Sequence, residues 1–167
     1  MIENFDEIDR KLLKLVQHDA SLSNQALAAL VHVSPATCLR RMQRLREAGV
    51  IERQVALLNP WKLAQATGQP AALVCIVEVS LDRQDAESLQ AFEEEVAQHE
   101  EVQQCWRVAS GPDFVLVVQT LNMAHYQQLT QRVLNQSRHV RNVKAYFATK
   151  RAKFATQVPL PEVTNLR

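Results

Sequence analysis

Thr37, Arg40, Arg41 and Arg44 fall in one short stretch, with Ser34 and Pro35 just ahead of them. Guanidinium groups are fork-shaped donors that match phosphate oxygens or the edge of guanine, and a neighbouring hydroxyl can reach base edges. No acidic residue lies between Ser34 and Arg46. At about 100° per residue the stretch sorts into two faces. Pro35, Cys38, Leu39, Met42 and Leu45 gather on one, and Thr37, Arg40, Arg41 and Arg44 on the other. A charged face ordinarily means only a solvated helix. Here the acid-free run, with short hydroxyl residues at the end that would meet phosphates or bases first, favours an element that lies in DNA.

Such a helix needs a scaffold, and the flanking sequence from Leu22 to Ile51 supplies one. Ser34 followed by Pro35 is a start signal and Gly49 a stop, which predicts a helix to about Glu47. Ahead of it, Ser23 can cap a helix over Asn24–Val31 whose Leu27, Leu30 and Val31 bury one face. His32 and Val33 fill the turn between the two. Asp6–His18 carries Ile8, Leu12, Leu15 and Val16 at helical spacing, with acids in its first turn where the helix dipole favours them. This first helix should pack across the other two with its acidic start turned away from phosphate. Val50–Leu58 is β-branched and partly alternating, which predicts a small wing strand. From there Arg53 and Gln54 could touch the DNA backbone, or simply form an exposed turn.

Pro60, Gly68 and Pro70 mark a boundary over Asn59–Pro70, with a short helical turn around Trp61, Leu63 and Ala64. Beyond it the periodicity changes. Ala71–Leu81, Val102–Ala109, Phe114–Leu121 and Val140–Thr149 read as strands. Gln84–Gln98 and Met123–Gln136 read as helices, the first with Leu89, Phe92 and Val96 inward and the second with Tyr126, Leu129 and Val133. The order βαββαβ is that of a ferredoxin-like sandwich, so the fold class is α+β. The expected organisation is a winged helix–turn–helix domain over 1–59, a linker over 60–70, a ferredoxin-like domain over 71–157 and a tail over 158–167.

The strands Leu73–Val77 and Phe114–Val118 are apolar on both faces, as a central pair must be. Two helices cover only one face of such a sheet, and a second copy of the same sheet is the simplest cover for the other. A dimer also suits the first domain, since paired helices about one DNA turn apart would read a near-palindromic site.

The bulk properties narrow the rest. The 167 residues are 47% hydrophobic with a net charge of only +1, so any affinity for nucleic acid must come from a local patch. The opening MIENFDEIDRK is acidic with no apolar core, and no apolar run approaches a membrane span. A cytoplasmic location is the expectation. Cys38, Cys75 and Cys105 are too few and too dispersed for a zinc site or disulfide framework, and the five histidines lack ligand spacing. No metal or cofactor is expected. With Gly totalling 3, there is no glycine-rich phosphate loop, and no nucleophile–base or carboxylate pair suggests an enzyme.

Taken together, IDRKLLKLVQHDASLSNQALA, VSPATCLRRMQRLREAGVI, VALLNP and WRVASGPDFVLVVQ resemble the Lrp/AsnC (feast/famine) family of bacterial transcription regulators over nearly the whole chain. The resemblance implies a homodimer that assembles into higher oligomers such as tetramers or octamers. It would bind double-stranded DNA through the first domain and sense a small amino acid through the second, a RAM-type effector and dimerisation domain. By position, the DNA-reading segment falls on Asn24–Gln43. The DNA-contacting candidates are then Asn24, Gln25, Ser34, Thr37, Arg40, Arg41, Arg44 and, from the wing, Arg53.

The family's effector motif, a glycine, two variable residues and an aspartate, falls on Ser110, Gly111, Pro112 and Asp113. Ser110 stands where glycine is usual, and Pro112 removes a donor amide that an effector carboxylate could use. Asp113 has two readings: it holds an amino group, or it bonds its own backbone in the turn. His32 stands where glycine is common between the two DNA helices, a position histidine tolerates in the left-handed region. Two rivals remain, an effector-independent DNA-organising regulator and a small-molecule-binding metabolic regulator or enzyme.

Overall fold

The computed structural model describes residues 5–135 and 139–162. The chain forms two compact units: one runs to Leu57 and resumes at Lys153, and the other spans Leu58–Ala152.

Among the described residues, the first unit holds three helices, α1 (Glu7–His18), α2 (Asn24–Leu30) and α3 (Pro35–Glu47). Each begins where a side chain can satisfy the free amides of its first turn. Asp6 Oδ1 accepts from the amides of Ile8 and Asp9, and Asp9 Oδ2 accepts in return from the amide of Asp6, a reciprocal cap. Ser23 and Ser34 cap α2 and α3 through the amides of Ala26 and Thr37. His32 takes φ 57° in the turn between α2 and α3, and Gly49 takes φ 71° as α3 ends. Both are left-handed positions that reverse the chain tightly.

Leu12, Leu13, Leu27, Ala28, Val31, Cys38, Met42 and Leu45 form the core of this unit. Leu30 and Leu39, expected inward, are exposed. Leu39 lies about 100° around α3 from the buried Cys38, on the rim of the apolar face. The wing strand expected over Val50–Leu58 does not form. A strand needs an edge to pair with, and among the described residues the paired strands are those of the second unit alone.

The second unit opens with α4 (Pro60–Thr67), so the stretch expected to be a linker holds a two-turn helix, capped by Asn59 and ended by Gly68 at φ 66°. Then follow β1 (Leu73–Leu81), α5 (Ala86–Val96), β2 (Val102–Arg107), β3 (Phe114–Thr120), α6 (Met123–Leu129) and β4 (Val140–Phe147). After Leu129 the helix continues as a wider π-type turn over Thr130–Asn135. There the Thr130 hydroxyl donates to the carbonyl of Tyr126 at 2.8 Å, a side-chain bond that competes with regular helix. Gln136, the expected end of this helix, lies outside the described residues, as do the first four and last five positions of the expected domains.

The sheet is antiparallel with order β2-β3-β1-β4, so β1 and β3 are the central pair. Cys75, Val77, Val79 and Leu81 of β1 join Phe114, Leu116 and Val118 of β3 in one core with Phe92 and Val96 of α5 and Tyr126 and Leu129 of α6. The alternate residues face the other way. Register places Trp106, Val115, Glu78 and Lys144 in one cross-strand row on that second face, and Gln104, Val117, Ile76 and Tyr146 in the next.

Candidate nucleic-acid interface and effector cleft

The face of α3 expected to be uniformly cationic splits in two. At about 100° per residue, Arg41 lies about 60° from the buried Cys38, whereas Arg40 lies about 160° away. Arg41 accordingly turns inward. Its Nη1 donates to Asp6 and Asp9, at 2.9 Å in each case, and Arg44 Nη2 donates to the second oxygen of Asp9. Asp9 is 0% exposed. The acidic start of α1 is therefore turned towards the arginines of α3, which brings together charges that the sequence suggested were on separate faces.

Electrostatics follow this geometry. Partial burial pulls the Asp6 carboxyl upward, but the Asp9 amide and the Arg41 guanidinium outweigh it and hold the group below its ordinary value. Burial acts against the charged form of Arg41, yet Asp9 and Asp6 more than compensate and raise its pKa.

Arg40 remains exposed on the outer face of α3. At the start of that helix the Ser34 and Thr37 hydroxyls lie 2.9 Å apart. Asn24 Nδ2 donates to the Pro35 carbonyl at 2.8 Å and so fastens α2 to the beginning of α3. Gln25 is exposed beside it. Arg53 projects from the irregular segment after α3, with its Nε 3.9 Å from Glu52.

In the second unit, Ser110, Gly111, Pro112 and Asp113 form the turn from β2 to β3, with Gly111 at φ 87°. Together with Gln84, Leu89, Arg107, Val108 and Ala109 they line an open cleft of about 270 Å³. Asp113 does not bond its own turn. Its Oδ2 accepts from the Leu81 amide at 2.7 Å and its Oδ1 from Gln84 Nε2 at 2.8 Å, so it ties the turn to the end of β1 and the loop before α5. A carboxylate has about four lone-pair sites, so acceptor capacity is left. Arg107 at the cleft wall pairs with Glu93 at 2.8 Å.

Asp6, Asp9, Gln84 and Arg107 were missing from the expected site. Asp9 gave a signal, since it falls on the same helical stripe as Leu12, Leu13 and Val16 and a carboxylate there needs a partner. Nothing in the spacing of Gln84 relative to Asp113 marks them as neighbours.

Three short helices, the last with an exposed outer face as the second helix of a helix–turn–helix, followed in the chain by a ferredoxin-like sandwich with a cleft at a strand turn, define a two-domain DNA-binding regulator. The chain matches the AsnC-type helix-turn-helix domain over residues 5–46 and the Lrp/AsnC ligand binding domain over residues 74–158. It belongs to the Lrp/AsnC family of transcriptional regulators, a regulatory rather than enzymatic family.

Among its relatives is the DNA-binding transcriptional activator DecR of Escherichia coli K12, 33% identical over 155 residues that cover 93% of this chain and 98% of the relative. The leucine-responsive regulatory protein of Escherichia coli K12 is 32% identical over 90% of this chain and 88% of its own. An AsnC family transcriptional regulator from Agrobacterium tumefaciens superposes with a TM-score of 0.80 at 32% identity, covering 93% of this chain and 97% of that one. A transcriptional regulator from Neisseria meningitidis in complex with L-Met gives 0.79 at 26% identity, with the same coverage of 93% and 97%. Among the described residues, no helix is long and apolar enough to cross a membrane.

Proposed function

We propose that the chain is a sequence-specific transcriptional regulator that reads a near-palindromic operator as a dimer and responds to a small amino acid. The observation that carries the DNA-reading assignment is the division of α3 described above. Arg41 and Arg44 anchor the helix, and Ser34, Thr37 and Arg40 are left to meet DNA, with Gln25 at the start of α2 and Arg53 beyond α3 as backbone contacts. Asn24 serves them by fixing the α2–α3 angle. The two functions separate in one experiment: Arg40→Ala and Arg41→Ala are compared for DNA affinity, salt dependence and melting temperature. Arg40→Ala losing affinity at unchanged stability supports the assignment, whereas equal affinity for Arg40→Ala and the unaltered protein counts against it.

Two further observations support the dimer and the effector. The second sheet face carries Val115, Val117 and Ile76 between Trp106 and Tyr146, which are 60% and 51% exposed. A matching face from a second copy would cover them, and assembly of such dimers into tetramers or octamers would follow from other surfaces. The cleft offers Asp113 to an ammonium group and Arg107 to a carboxylate, the two ends of an amino acid, and the Neisseria meningitidis relative is known with L-Met bound. A thermal-shift screen against the amino acids, starting with L-Met and L-Leu, tests this, because a ligand that binds only the folded state raises the melting temperature. No shift at millimolar ligand would favour an effector-independent regulator. We place the protein in the cytoplasm, where its DNA is.

A further inference from the structure

The segment from Lys153 belongs with the DNA-binding unit although the matched ligand-binding family extends to residue 158. The chain thus leaves the first unit after Leu57, builds the whole second unit, and returns. What holds the returning end is a side chain acting as a piece of backbone. Gln17 Oε1 accepts from the Val158 amide at 2.7 Å, and Gln17 Nε2 donates to the Val158 carbonyl at 3.3 Å. One primary amide therefore satisfies the donor and the acceptor of one tail residue, as a neighbouring strand would. Gln157 Nε2 adds a bond to the Gln17 carbonyl at 3.4 Å, and Leu160 packs against the three-helix core. An isolated extended tail has no such partners, and its ordering costs about 1–2 kcal/mol of backbone entropy per residue, so these contacts define where it is held.

The helix that receives the tail is the one that holds α3. Gln17 sits in the last turn of α1, while Asp6 and Asp9 at its other end grip Arg41 and Arg44. We infer that residues 153–162 are a strap that seats α1 and, through it, holds the recognition helix in its DNA-reading pose. The strap is covalently continuous with β4. On the way, Arg151 lies over the Trp61 ring at 4.6 Å, so within the second unit the returning chain is stapled to α4, close to where the chain first entered. A change in the second unit that pulls on β4 or releases this staple would act on the strap directly. This inference rests on the DNA-reading assignment of α3.

The test uses full-length Gln17→Leu, which keeps the volume and loses both bonds to Val158, Gln17→Glu, which keeps the acceptor alone, and Leu160→Ser, which loosens the strap from its apolar side. The duplex is one that the unaltered protein selects from a random-sequence pool. That selection is itself the check on the DNA-reading assignment. Tryptic cleavage after Lys153 and amide exchange at Val158 report the strap, exchange in α1 reports its seat, and binding to the duplex reports the pose. Expected for Gln17→Leu is roughly tenfold faster exchange at Val158 and an affinity about three- to tenfold weaker, as loss of two modest hydrogen bonds allows. Gln17→Glu should fall between, and Leu160→Ser should repeat the pattern. Unchanged exchange and cleavage would show that Gln17 does not hold the tail. A freed tail with unchanged affinity would show that it only covers the core, and either result overturns the proposal.

Discussion

Asp9 Oδ1 accepts a hydrogen bond from Arg41 Nη1 at 2.9 Å, and Asp9 is completely buried. An acid from the first helix is thus the partner of an arginine on the helix expected to read DNA. The attraction between them does not by itself imply large stability, because both groups lost water to form it. It does imply that neither can be removed alone. Arg41→Ala leaves the buried Asp9 with Arg44 as its remaining partner, and Asp9→Leu leaves Arg41 with Asp6, so each breaks part of the network and should lower the stability of the first unit by about 1–3 kcal/mol. Urea denaturation of the two variants checks this. A loss under ~1 kcal/mol, typical of exposed pairs, would show the pair to be solvated in solution.

Arg40 should behave in the opposite way. It is exposed and lies on the far side of α3 from Cys38, so Arg40→Ala should leave the melting temperature within experimental scatter. If it meets a phosphate, the variant should reduce the slope of log affinity against log salt by about one unit, uniformly across sequences. If it meets a guanine, discrimination at one operator position should relax by about 1–3 kcal/mol. Titrations at three salt concentrations on matched and altered duplexes distinguish these outcomes.

The Asp6 carboxyl gives a pH signature. Its folded-state pKa lies below the ordinary 3.8, so folding favours its ionised form. The associated stabilisation is fully present above that ordinary value and is lost as the pH falls through the lowered one. The side chain is 44% exposed, which screens the effect and keeps it small. Asp6→Asn retains a capping oxygen and removes only the charge. The melting-temperature gap between the unaltered protein and this variant should be constant from neutral pH to about 5 and should close below about 4. A gap that persists into strong acid would assign it to the cap instead.

The sequence was legible wherever structure follows from local chemistry. Ser23 and Ser34 before apolar repeats, Pro35 at a first helical position and Gly49 after a last one placed α2 and α3 closely, and the doubly apolar strands identified β1 and β3 as the central pair. His32 was legible too, as a side chain filling a left-handed turn. What failed was non-local. Whether Val50–Leu58 is a strand depends on an edge elsewhere, and the periodicity of α3 could not say that Asp9 would reach across to Arg41. The arginines of the DNA face were read from their charge and spacing, and a charge that finds a buried partner leaves the surface.

Asp113 makes a prediction that separates architecture from ligand binding. Because it accepts from the Leu81 amide and from Gln84, Asp113→Ala should loosen the turn and destabilise the second unit by about 1–3 kcal/mol through the buried donor left without a partner. A lost ligand response in that variant is therefore ambiguous. Gln84→Ala, which removes only the exposed partner, should keep stability within about 0.5 kcal/mol. If an amino acid binds here, Gln84→Ala should weaken it by freeing Asp113 to move. Isothermal titration of both variants, beside their melting temperatures, decides which role Asp113 has.

The proposed dimer rests on the second sheet face. Val117 pairs with Ile76, and Ile76 with Tyr146, in a row that lies on the opposite face from the core shared with α5 and α6. Burying an apolar side chain of this size is worth about 1.5–3 kcal/mol, and a two-fold interface buries each one twice. Val117→Lys places an ammonium group in the middle of that row, where in a dimer it would also meet its own symmetry mate's surroundings. It should leave the fold of a single chain intact, because the face is open there, while shifting sedimentation from dimer to monomer at micromolar concentration. Since two half-sites read together bind far more tightly than one, operator affinity should fall with it by orders of magnitude. A variant that stays dimeric would locate the interface elsewhere, with the irregular Val50–Leu58 segment and its exposed Val55, Leu57 and Leu58 as the next surface to alter.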